Sequence, residues 1–123
     1  MVMAMGRTMV LAAALGTVCG SANAINFEDY ELISAKDRPA IVAYLNGVGA
    51  GYSWANAYAE VGQHTAVMYC QPARLALNGD NYKQILDAKI AKSFSPLTPA
   101  QKREHVIEFT LLLGLIDTFP CGK

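Results

Sequence analysis

The sequence has no surplus of charge of either sign. Ten Lys and Arg stand against ten Asp and Glu, and only 16% of the 123 residues are charged. Without a basic excess there is little to displace counterions from a phosphate backbone, so no nucleic acid is expected as partner. A hydrophobic content of 53% equally excludes a disordered or acidic-tail protein. Histidine and cysteine are scarce, at two and three residues. A metal centre needs three or four ligands, and His64 and His105 have no ligand-spaced partners, so no metal is expected.

Catalytic signatures are missing as well. There is no Gly-x-Ser-x-Gly elbow and no phosphate-binding Gly-Lys-Ser/Thr. Gly47-Val48-Gly49-Ala50-Gly51 lacks the third spaced glycine and the preceding strand of a dinucleotide loop, so no cofactor is expected. Glu104 and Glu108 lie one helical turn apart and read as a solvated face rather than an acid/base pair. His105, between them, reads as a partly exposed histidine balanced by nearby carboxylates. With no catalytic residues in view, the chain reads as a binder rather than an enzyme.

Long apolar runs are absent except near the start. Residues 1–24 carry one charge, Arg7, then an uncharged stretch from about Met9 to Val18 and a small polar segment ending Ala22-Asn23-Ala24. This is the layout of a secretory signal peptide, too short to span a bilayer, with cleavage expected after Ala24. Gly16-Thr17-Val18 before Cys19 does not make a lipidation box. The mature chain, Ile25–Lys123, is then one domain in the periplasm with no stable membrane anchor. It retains two cysteines, Cys70 and Cys121. In an oxidising compartment such a pair is expected to form a single structural disulfide.

Helical periodicity dominates the mature chain. Asn26 is placed to cap a first helix reaching about Ser34, with Glu28, Asp29 and Glu31 in its first turns. Asp37 is the expected cap of a second, Pro39–Glu60. At 100° per residue, Ile41, Tyr44, Leu45, Val48, Tyr52, Ala55 and Ala59 make its core stripe, and Asn46, Ser53, Asn56 and Glu60 its polar side. A third stripe, Gly47, Gly51, Trp54 and Tyr58, lies beside the core. Its two glycines read as the place where another helix approaches.

Thr65–Cys70 reads as a short extended segment before the turn at Cys70-Gln71-Pro72. A third helix is expected over about Asp80–Lys92, with Ile85, Leu86 and Ile90 inward and Tyr82 at their edge. Thr98-Pro99-Ala100-Gln101 then opens a last, central helix running to about Asp117. The sum is an all-α, compact four-helix domain tied by one disulfide.

Four segments together resemble a known family: Tyr44-Leu45-Asn46-Gly47-Val48, Tyr69-Cys70-Gln71-Pro72, Asn81-Tyr82-x-x-Ile85-Leu86 and the terminal Phe119-Pro120-Cys121. In order and spacing they are similar to the Rap/Tai immunity proteins. The resemblance implies a fold like that of the HdeA acid-stress chaperones. It also implies a role in type VI secretion: binding and neutralising a toxic effector protein, often a peptidoglycan amidase, delivered by a sibling cell. Cys70 and Cys121 would carry the family's disulfide. A further cysteine pair of many members has no counterpart, since the corresponding stretches read Ile33-Ser34-Ala35 and Ala40-Ile41-Val42.

Inhibitor surfaces anchor on Trp, Tyr and Arg. The single Trp, Trp54, therefore directs attention to Tyr52, Trp54, Tyr58, Gln63 and His64 as the partner surface. The competing placement packs Trp54 and Tyr58 against another helix of the same domain. A second copy of the chain, as a homodimer, is the other partner compatible with the sequence. An acid-activated periplasmic chaperone and an envelope binding protein of unrelated role are the alternative functions.

Overall fold

The computed structural model describes residues 23–122; all but the last two residues of the predicted leader, 1–24, lie outside them. Five helices follow one another: α1 Phe27–Lys36, α2 Arg38–Val61, α3 Gly79–Ser93, α4 Pro99–Glu104 and α5 Ile107–Thr118. Among the described residues there is no strand, only an isolated antiparallel bridge between Asn26 and Val106.

The helix starts are set locally. Asn26 accepts a hydrogen bond from the Asp29 N–H, and Asp37 accepts one from Ala40. Asn78 with Asn81, and Thr98 with Gln101, exchange reciprocal capping bonds. Each cap satisfies backbone donors that a helix end leaves open.

The start of α5 is different, and it splits the single last helix expected from the sequence. His105 and Val106 are extended rather than helical. Their backbone is taken by the incoming chain: Phe27 N–H donates to the His105 carbonyl at 3.0 Å, and Ile107 N–H donates to the Ile25 carbonyl at 2.9 Å. The expected four helices thus become five. Thr65–Cys70, read as a short extended segment, is neither helix nor strand.

The core gathers Leu45 from α2, Leu86 from α3, and Ile107, Leu111 and Leu115 from α5, all fully buried, with Phe27, Ile41 and Tyr69 around them. Helix α3 lies against both α2 and α5. Tyr82, expected at an edge, is only 3% exposed, because the α2–α3 contact closes over it. That contact is made at Gly49. A Cβ there would overlap the Tyr82 ring, whereas Cβ atoms at Gly47 and Gly51 would meet nothing within 4 Å. The sequence reading chose the wrong glycines for helix packing: the close approach uses the one between them.

Cys70 and Cys121 form a disulfide across 51 residues of sequence, with Cα atoms 4.8 Å apart. Beside it the Cys70 N–H donates to the Phe119 carbonyl at 2.8 Å. Ion pairs join the helices from outside: Glu28–Arg103 and Glu31–Lys102 between α1 and α4, Arg38–Asp80 between α2 and α3, and Lys89–Asp117 between α3 and α5.

Candidate partner-binding surface

Helix α2 is longer than the layer it packs on. Its first half buries Ile41, Leu45 and Gly49, but from Gly51 onward its residues are exposed or only half-buried. Ala55, expected in the core, is exposed because no helix covers it there. On this projecting end Trp54 is 77% exposed, Tyr58 63% and Val61 74%. Spacings of four and three residues put the three on one stripe, which Gly47 and Gly51 extend toward the N-terminus of the helix. Packing of Trp54 and Tyr58 into the domain is thereby excluded.

The end of the stripe is held in shape. The N–H groups of Gly62 and Gln63 both donate to the Tyr58 carbonyl, and Thr65 N–H donates to that of Ala59. Gln63 Nε2 donates to the Tyr58 hydroxyl at 3.1 Å, fixing the ring's outer edge. His64 sits at the turn with φ of 52°, in the left-handed region, and is exposed. Asn56, on the polar side, clamps the returning chain: its Nδ2 donates to the Tyr69 carbonyl and its Oδ1 accepts from Met68 N–H. A polar notch of about 380 Å³ lies between this face of α2 and the Cys70 turn, lined by Ser53, Asn56, Glu60 and Gln71.

Of the five residues proposed from sequence, the structure brings together Trp54, Tyr58, Gln63 and His64. Tyr52 lies apart. It is half-buried toward α5, where its hydroxyl donates to the Glu108 carbonyl at 2.8 Å, and burial raises its pKa. Its role is support for the helix. Val61 was missed, although its place seven residues after Trp54 was a readable signal.

Glu108 also departs from its expected solvated face. It is half-buried, accepts a hydrogen bond from the Tyr44 hydroxyl, and holds the Ile25 N–H at 2.9 Å. Burial, then the bond to Glu108, push the Tyr44 hydroxyl up to about 12. His105 packs between Phe27 and Phe94, with ring centroids 5.4 and 4.9 Å away.

A second depression, about 360 Å³, lies between α1, α3 and the segment leading to α4. Its polar groups are occupied with one another: Tyr30 donates to Asp87, Lys83 pairs with Asp87, and Lys102 pairs with Glu31. Among the described residues no three His, Cys, Asp or Glu side chains group as metal ligands, and no helix is long and apolar enough to cross a membrane.

Fold and surface together define a small all-α domain, tied by one disulfide, with an aromatic helix end projecting from it. Compared with protein-family models, with curated proteins and with solved structures, the chain finds no match.

Proposed function

We propose that this is an exported, periplasmic immunity protein that binds and neutralises a toxic effector of the type VI secretion system, a peptidoglycan amidase being the favoured class. The observation that carries the proposal is the exposed stripe Trp54, Tyr58 and Val61 on a projecting, well-anchored helix end. Trp and Tyr are enriched among the few residues that carry most of an interface's energy, and a protrusion already held rigid loses less freedom on entering a cleft. The family resemblance supplies the effector class.

The test is binding to the product of an adjacent reading frame encoding a small cell-wall hydrolase. Trp54→Ala and Tyr58→Ala should each weaken that complex about 30-fold or more, equivalent to about 2 kcal/mol, while melting stays within about 2 °C because both side chains are exposed. A complex indifferent to both substitutions overturns the assignment of the surface. No complex at all overturns the immunity reading.

The acid-chaperone alternative has its own support in the four ion pairs that join helices from outside, each dependent on an ionised carboxylate. It requires loosening and exposure of apolar surface below about pH 4. A chain that remains compact at about pH 2.5, by near-ultraviolet circular dichroism and dye binding, removes it.

A further inference from the structure

Among the described residues, the first backbone pairing falls at the predicted cleavage point. Asn23 and Ala24 are exposed, and the pairing with the α4–α5 junction begins at Ile25. The Ile25 carbonyl accepts from Ile107 N–H at 2.9 Å, and its nitrogen points at Glu108, donating to Oε1 at 2.9 Å. That carboxylate is over-provided for one amide. Oε1 already takes the Tyr44 hydroxyl, and Oε2 is buried with no hydrogen-bond partner among the described residues. A half-buried carboxylate with an idle oxygen beside a single amide N–H is poorly compensated.

We propose that removal of the leader completes this site: the α-ammonium created on Ile25 forms an ion pair with Glu108 and locks the N-terminus onto α5. A signal-peptidase-class enzyme adds water across the Ala24–Ile25 amide. The carbonyl carbon keeps the water oxygen as the Ala24 carboxylate, and the nitrogen leaves with both water protons as the ammonium. One donor becomes three, with a full positive charge, and the idle Oε2 belongs to the same carboxyl group. Charge-assisted bonds of this kind are about twice as strong as neutral ones. Tyr44 and Tyr52 of α2 are the titratable groups set against Glu108, while the His105 ring packs between Phe27 and Phe94.

The proposal rests on the export reading, and the experiment separates the two. The full-length chain is expressed with its leader in a Gram-negative host, and the periplasmic product is weighed by mass spectrometry. It is made in four forms: wild type, Glu108→Gln, an insertion of Gly-Ser between Ala24 and Ile25, and the two changes combined. The insertion keeps the Ile25 amide and moves the ammonium away. A wild-type product starting at Ile25 is expected. The insertion should lower Tm by about 4 °C or more in the wild-type background and by no more than about 1 °C in the Glu108→Gln background, where the carboxylate charge is gone. The α-amine, followed by NMR after ¹³C-methylation, should titrate above the ordinary value of about 7.7–8.0 in the wild type and return to it in Glu108→Gln. Absence of any periplasmic product overturns the export reading and the ion pair with it, whereas a periplasmic product that starts elsewhere than Ile25 overturns the ion pair alone. A product that starts at Ile25, with an insertion effect that is nil or equal in both backgrounds, overturns the ion pair alone.

Discussion

Three glycines within five residues of α2 should respond in opposite directions to the same substitution. Replacing a helix-interior glycine by alanine removes backbone freedom from the unfolded chain and is worth about 1 kcal/mol when nothing obstructs the methyl group. At Gly47 and Gly51 the added carbon meets no atom within 4 Å. Each alanine there should raise Tm by roughly 4–8 °C, and the two gains should add, since the sites share no partner. At Gly49 the same carbon overlaps the Tyr82 ring, which is 3% exposed and sealed beneath the helix pair. The ring has no solvent to swing into. Overpacking of this kind costs about 1–3 kcal/mol, so the propensity gain is cancelled and Gly49→Ala should lower Tm. Thermal and urea unfolding followed by far-ultraviolet circular dichroism, with unchanged m-values, reads all three. If Gly49→Ala stabilises as much as Gly47→Ala, the α2–α3 contact is wrongly placed. If Gly47→Ala or Gly51→Ala destabilises, that face is covered, and a concentration-dependent Tm would identify a second copy as the cover.

Further expectations concern the core, the disulfide and acid. The Tyr69 hydroxyl is buried without a hydrogen-bond partner among the described residues, so Tyr69→Phe should stabilise by about 1 kcal/mol; a loss of that size would mean the hydroxyl has a partner. Closing 51 residues of chain limits the unfolded state by about 4 kcal/mol, so Cys70→Ser with Cys121→Ser should lower Tm by more than about 10 °C, read by calorimetry. Lys89 holds the Asp117 carboxyl below its ordinary value through a hydrogen bond. Its contribution is present above the unfolded pKa of about 3.9 and fades as pH falls through the lower folded value. Asp117→Asn should therefore reduce stability at about pH 7 and by progressively less as the pH is lowered below about 3.9; a loss that does not change with pH would assign the effect to packing.

What the sequence made legible was local. Asn26, Asp37 and Thr98 cap helices through bonds to residues three positions on, so the signal and the structure occupy the same few residues. The disulfide was legible by count, because only two of the three cysteines follow the predicted leader. The break at His105 and Val106 was not. Its cause is backbone pairing with Ile25 and Phe27, some eighty positions earlier, and the local pattern there is that of an uninterrupted helix. Glu108 was misread for the same reason, since Tyr44 and Ile25 draw it inward from distant parts of the chain. Periodicity assigned Trp54 and Tyr58 to one stripe correctly. It could not tell whether anything covers that stripe, because coverage depends on how distant helices pack rather than on the local pattern.

The features of α2 that look like poor helix design are concentrated on the side that no described residue covers. Gly47 and Gly51 each weaken the helix, and Trp54, Tyr58 and Val61 leave apolar area in water, so all five forgo stability that simple substitutions would recover. The anchoring of the same segment runs the other way. Asn56 ties it to Met68 and Tyr69, Gln63 ties down the Tyr58 ring, and Cys70 fastens the next turn to the end of the chain. Locally unfavourable residues on a locally rigidified element are what a binding surface requires, because a side chain already held in place loses less freedom on contact. On the proposed reading, Gly47→Ala and Gly51→Ala should therefore make a more stable protein and a weaker binder, as methyl groups fill the shallow end of the stripe. Measured side by side, a rise in Tm with an unchanged partner affinity would confine the contact to Trp54, Tyr58 and Val61. A rise in Tm with weakened affinity would extend it along the whole exposed face of the helix.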